Sequence, residues 1–228
     1  MGDIVGNLKT IKNAISAAAK KSGRASEDIK LIGVTKTVSA ERINQLVIAG
    51  VSCIGENRVQ DFLPKYEALK QSPTPTWHFI GHLQRNKVKF IVDKVAMIHS
   101  VDSLALAQEI DKRAKNAGII MDILIEINIA GEDSKHGISP SEAVFFTKEL
   151  SKFENVRTNG LMCIAPFVKK PEENRPSFAK MRKLLLDINE KNMHNHILTE
   201  LSMGMSGDYT VAIEEGATMV RIGTALVG

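Results

Sequence analysis

The chain has 228 residues, 43% of them apolar and 25% charged, which excludes a disordered chain and allows a sizeable core. Its 30 Lys+Arg against 26 Asp+Glu leave +4, and only 5% of residues are aromatic. That argues against a nucleic-acid stripe and suits a small anionic ligand. The cysteines, Cys53 and Cys163, lie in apolar runs without metal spacing and read as reduced core thiols.

Ile4, Leu8, Ile11 and Ile15 repeat on one helical face, predicting a helix from Asp3 to Lys21 that Ser22-Gly23 stops. Leu31 to Thr35 is a short apolar run of strand type that ends in Lys36. Ser39 caps a helix carrying Ile43, Leu46 and Val47, which Gly50 ends. Val51 to Ile54 reads as a strand, and Glu56 to Leu69 as a helix disturbed at Pro64. Strands at 77–80 and 96–99 precede helices at 83–92 and 103–116. A strand over 121–128 leads to Ser139-Pro140-Ser141-Glu142, whose cap, first-turn Pro and capping-box Glu start a helix. Strands at 158–163 and 198–202 precede helices at 176–192 and 207–214, and 219–222 is the last strand. No apolar signal core opens the chain. Asp122 and Glu126 interrupt the most apolar run, so no membrane span is expected.

Regular alternation of strand and helix implies a parallel sheet, and eight such units are the count of a closed barrel. The reading is an α/β fold, a single-domain (β/α)8 TIM-type barrel over residues 1–228. The alternative is a doubly wound open sheet. Six residues follow the last predicted strand, so no eighth helix is expected, and the N-terminal helix is expected to cover that gap.

In such a barrel the chemistry sits where strands end. Lys36 follows the first strand, where partial burial would favour the neutral amine that forms imines; the bland alternative is a solvated lysine. Gly55-Glu56-Asn57-Arg58 orients a ligand or caps a helix. His78 and His82 are better read as structural than as bases, and Ser103 as a helix cap. The loop 131–137 matches no calcium or zinc ligand pattern. Ser202 to Asp208 and Arg221-Ile222-Gly223-Thr224 put small residues and hydroxyls before helices, a phosphate cradle or else a pair of tight turns. The first strand end and the last two are neighbours in a closed barrel. Together they point to a phosphorylated aldehyde or ketone held as an imine.

Several runs occur in order: Leu31 to Lys36, Gly55 to Gln60, Trp77 to Lys87, Ser100 to Ser103, Lys135-His136-Gly137, Gly160-Leu161-Met162, Leu201 to Ser206 and Val220 to Thr224. By these motifs the chain resembles the pyridoxal phosphate homeostasis proteins, the YggS-like or proline synthetase co-transcribed family, over nearly its whole length. The resemblance implies a barrel like the N-terminal domain of alanine racemase. It implies pyridoxal 5′-phosphate bound as a Schiff base on Lys36, with Ser206, Gly223 and Thr224 on the phosphate. It also implies Arg221 facing the pyridine nitrogen, which would leave that nitrogen unprotonated and the ring a weak electron sink. Asn57, Ser202 and Met203 would be wall residues.

The function it implies is a cytoplasmic, monomeric carrier or buffer of the cofactor that affects amino-acid metabolism. Its partners would be the cofactor and, transiently, apoenzymes that accept it, with no nucleic acid, membrane or metal. The alternative is a small racemase-like or lyase-like enzyme on the same lysine, with His82 or another mouth residue as second base. Racemisation needs an acid/base group on each face; the racemase's second is a Tyr from an added β domain, and only Tyr66 and Tyr209 exist here. A cofactor-free Schiff-base aldolase and a basic interaction module are the remaining readings.

Overall fold

The computed structural model describes residues 3–70, 74–132, 135–191 and 197–228. Its strands are β1 (Lys30–Val34), β2 (Cys53–Glu56), β3 (Thr76–Phe79), β4 (Met97–Val101), β5 (Met121–Glu126), β6 (Val156–Met162), β7 (Glu200–Met205) and β8 (Met219–Ile222). All pair in parallel in chain order, and β1 pairs with β8, with Ile32 opposite Arg221 and Gly33 opposite Ile222. The sheet is therefore a closed barrel, not an open doubly wound sheet. Strands buried on both faces explain why each reads as a short apolar run.

The helices are α1 (Ile4–Lys21), α2 (Ala40–Ile48), α3 (Val59–Ala68), α4 (Leu104–Ala117), α5 (Ala143–Leu150), α6 (Arg175–Glu190), α7 (Tyr209–Glu214) and α8 (Thr224–Val227). Ser39 and Ser103 cap α2 and α4 by accepting bonds from the Arg42 and Leu106 N–H groups. The buried stripe of α1, Ile4, Leu8, Ile11 and Ile15, faces the barrel. Each such side chain contributes about 2 kcal/mol. α1 packs against α7 and α8, as its covering role requires.

Four boundaries differ from the sequence reading. Residues 85–90 form a 3-10 helix, in keeping with the three-residue spacing of buried Val88 and Ile91. The Ser139 hydroxyl and N–H both bond Glu142, yet the regular helix starts only at Ala143. α8 is an eighth helix of a single turn, where none was expected. β7 runs on to Met205, because a bulge lets it continue. Among the described residues no helix is long and apolar enough to cross a membrane.

The core has two layers. Ile32, Cys53, Met97, Leu124, Met162 and Met219 form a cluster inside the barrel. A larger cluster, including Phe62, Trp77, Phe178 and Met203, lies between strands and helices. Both cysteines are buried and free.

Candidate functional site

Three adjacent strand ends build the candidate site. β7 pairs Ser202 with Met219 but Met205 with Arg221, so β7 carries one extra residue between them. Gly204 sits in that bulge at φ +90, with no room for a Cβ, which would stand 2.5 Å from the Ala212 Cβ. The bulge brings Ser206 over the end of β8, where its Oγ lies 3.3 Å from the Gly223 N and 3.4 Å from the Ala225 N. Both N–H groups belong to the opening of α8, so hydroxyl and backbone donors share one small turn. A Cβ on Gly223 would meet the Val34 side chain at 3.4 Å. The end of β1, and Lys36 two residues on, therefore adjoin this turn.

Arg221 enters the barrel interior and is buried. Its Nη1 donates to the Ser202 carbonyl and hydroxyl oxygens, each at 2.7 Å, and its Nη2 donates to the Cys163 carbonyl at 2.8 Å. Its Nε–H makes no bond among the described residues. Burial lowers the Arg221 pKa, against raising contributions from Cys163, Glu126 and Asp208. A guanidinium nevertheless stays charged and only donates. The Ser202 hydroxyl accepts from Arg221 and also shares a hydrogen bond with His99 Nδ1, 2.9 Å away. His99 Nε2 and His78 Nδ1 share another, also at 2.9 Å. His78 Nε2 is a buried atom without a partner.

A line of buried hydrogen bonds thus links Arg221 through Ser202 and His99 to His78. Both rings are neutral: burial pushes His78 down to about 4, aided by Lys30, and holds His99 well below its ordinary value. Glu126 ends β5 with its carboxyl pushed up to about 7, first by burial, then by Asp102, while Arg221 pulls it down. Burial pushes the Cys163 thiol up to about 12, so this sulfur is no nucleophile at neutral pH.

Lys36 lies in the turn after β1, exposed, with no hydrogen-bond or ion-pair partner among the described residues. Of the two readings, the solvated lysine is the one found: β1 ends at Val34, and the chain has left the barrel wall by Lys36. The residue before it is fixed instead. The Thr35 hydroxyl donates to Glu56 at 2.5 Å, and Lys65 Nζ donates to the Thr35 carbonyl at 2.7 Å and to Glu56 at 2.8 Å. An analogous clamp holds the Ser206 turn. Buried Asp208 accepts from the Met205 N–H at 2.7 Å and from Asn174 Nδ2 at 2.8 Å.

The structure brings Lys36, Ser202, Ser206, Arg221, Gly223 and Thr224 together at the ends of β1, β7 and β8. Asn57 follows β2, the next strand, and its buried Oδ1 has no partner. A cavity of about 440 Å³ beside it is lined by Asn57, Arg58, Gln60, His82 and Lys87, among others. Met203 does not join this group. Strand alternation turns it outward into the layer under the helices, fully buried, while its neighbour Ser202 points inward. Sequence reasoning missed the Thr35–Glu56–Lys65 and Asn174–Asp208 clamps, which link residues far apart in the chain. The signal for His78 and His99 was present, as polar residues within short apolar strands, His99 beside Ser100.

The model of the alanine racemase N-terminal domain matches residues 7–228. A pyridoxal phosphate homeostasis protein of Aquifex aeolicus is 46% identical over 221 residues, which cover 97% of this chain and 96% of that one. Its counterpart in Pseudomonas aeruginosa is 36% identical, covering 100% of this chain and 96% of that one. The structure of PipY of Synechococcus elongatus with PLP bound is 33% identical at a TM-score of 0.86, covering 99% of this chain and 100% of that one. An alanine racemase of Clostridium difficile shares the fold at a TM-score of 0.73 and 21% identity, with 97% of this chain matched to 59% of that one.

Proposed function

Because this chain belongs to the alanine racemase N-terminal domain family and, by its relatives, to the pyridoxal phosphate homeostasis proteins, we propose that it binds pyridoxal 5′-phosphate and serves as an intracellular carrier or buffer of it. The anchor is a Schiff base at Lys36, formed when the amine condenses with the aldehyde and releases water. One observation carries this reading: closure of β1 on β8 sets a free amine beside a turn of hydroxyl and backbone N–H groups.

The residues fit the group. A phosphate suits the Ser206, Gly223 and Thr224 turn, where small residues admit it and the helix opening favours negative charge. The pyridine nitrogen is an acceptor, and Arg221 has an N–H to spare. A permanent cation there keeps that nitrogen unprotonated, which weakens the electron sink that the bound cofactor supplies for carbanion chemistry. Ser202 orients Arg221, and Asn57 offers a buried oxygen that no protein group uses. The carrier works in the cytoplasm as a monomer, handing the cofactor to apoenzymes by transfer from an exposed amine.

The test is borohydride reduction of the cofactor-loaded protein, followed by peptide mass spectrometry, with Lys36→Ala beside it. The expected result is a visible chromophore and a pyridoxyl group on Lys36, both lost in the variant. A chain that forms no adduct at Lys36 with added cofactor overturns the assignment and favours the cofactor-free aldolase. Rapid solvent-deuterium exchange at the α-carbon of an amino acid, with turnover, would instead favour the racemase-like enzyme.

A further inference from the structure

Three ligand-type side chains converge on the opposite side of the barrel mouth, at the ends of β3, β4 and β5. His82 Nδ1 stands 3.5 Å from Asp102 Oδ2. The His82 ring lies flat on His136, with centroids 4.0 Å apart and 12° between planes. One ligand atom from each of the three lies within 4.8 Å of the others. The sequence shows no metal spacing here because the ligands come from three separate strand ends.

The spacing of the three groups is compatible with a shared metal ion. A separation of 3.5 Å is long for a hydrogen bond. Two ligands of a tetrahedral zinc, each about 2.1 Å from the ion, stand about 3.4 Å apart. Each of the two rings offers a nitrogen lone pair to a metal when it is not protonated.

The backbone under each ligand is fixed. Gly81 packs so tightly on Asn57 that a Cβ would stand 2.2 Å from its carbonyl oxygen, and the Ser100 hydroxyl bonds the Gly81 carbonyl. Gly137 turns the chain at φ +109 directly after His136. Ile138 then pairs with the end of β5, its N–H on the Glu126 carbonyl and its carbonyl accepting from Asn128 N–H, both at 2.9 Å. The two imidazoles themselves are exposed. They can splay from the stack so that their lone pairs converge, while the main chain stays in place.

We propose that His82, Asp102 and His136 bind a divalent transition-metal ion of the zinc type. Two imidazoles and one carboxylate suit zinc, cobalt, nickel or ferrous iron, and suit the all-oxygen preference of calcium and magnesium poorly. Three protein ligands leave a position open for water or for the carboxylate or phosphate of a small anion. The site shares no residue with the Ser206–Gly223 turn, although His82 lines the cavity beside Asn57.

The test is titration of the purified full chain with Zn²⁺ by calorimetry and with Co²⁺ by its visible d–d bands, with and without added pyridoxal phosphate. His194→Gln/His196→Gln serves as the parent, so that the His194-Asn195-His196 run contributes no ligand. One equivalent of metal is expected. His82→Ala, His136→Ala and Asp102→Asn should each weaken it by at least about tenfold. Zn²⁺ should raise the melting temperature of the parent and of none of the three variants, whose own melting should stay near the parent's. Absence of binding to the parent, or binding that the three substitutions leave unchanged, overturns the proposal.

Discussion

Glu126 closes β5 inside the barrel at 5% exposure, and its carboxyl makes no hydrogen bond among the described residues. Glu126→Gln keeps its shape and cannot ionise. The unfolded carboxyl titrates near 4.5 and the native one near 7, raised by burial and then by Asp102. Between those values the native state binds more protons than the unfolded state. Its stabilisation is therefore complete below the lower value and is lost as pH rises through the upper one. At about 1.4 kcal/mol per pH unit, the gap is worth about 3 kcal/mol. Urea unfolding of parent and variant, with a chelator present so that Asp102 stays metal-free, reads the effect. The two should be equally stable near about pH 4.5, and the variant more stable by up to about 3 kcal/mol near about pH 8.5, with m unchanged. His78 acts with the opposite sign: its depressed value costs stability as pH falls from 6.5 to about 4, and this cancels between parent and variant. A parent–variant difference that does not change with pH would refute the placement of the charge.

Ser206→Ala removes the oxygen that faces the Gly223 and Ala225 N–H groups. At about 1 kcal/mol for a net hydrogen bond, pyridoxal phosphate should bind roughly fivefold more weakly by absorbance titration, and the free fold should lose no more than about 1–2 kcal/mol. Lys65→Met leaves Glu56, 1% exposed, without its cation. Unfolding should show a loss of about 3–5 kcal/mol, partly restored by adding Glu56→Gln. Gly81→Ala drives a Cβ against the Asn57 backbone, and about 1–3 kcal/mol of stability should disappear in the same assay.

The barrel was legible because strand–helix alternation implies a parallel sheet and eight units are the count that closes it, the open doubly wound sheet being the rival. Cap chemistry at Ser39 and Ser103 was legible for the same reason: it is local. The extension of β7 was not, because the bulge at Gly204 is defined by pairing with β8, residues that say nothing of register in the sequence. Met203 shows the consequence. Read as part of a small-residue loop it belongs to the mouth; as a strand residue next to inward Ser202 it belongs under the helices. The exposure of Lys36, the Thr35–Glu56–Lys65 clamp and the meeting of His82 with His136 are likewise contacts between distant strand ends.

Burial divides the labour at the mouth in a way that bears on function. The groups that would recognise the cofactor are set beforehand: Arg221 is held by three bonds, and Ser206 sits in a turn clamped by Asp208. The amine that would hold it is exposed and unpaired, and only the backbone beside it is fixed. An efficient racemase needs a second acid/base group on the far face of the substrate. Tyr66 packs at a tilt against Phe62, with centroids 5.4 Å apart, and Tyr209, partly buried, packs against the core at the start of α7, next to Gly204. A rigid recognition frame lowers the entropic cost of capture. An open amine would leave an imine formed there accessible to incoming amines, and so to release. That pairing is what reversible carriage requires, and it is the opposite of the closed, water-excluding site that carbanion chemistry favours.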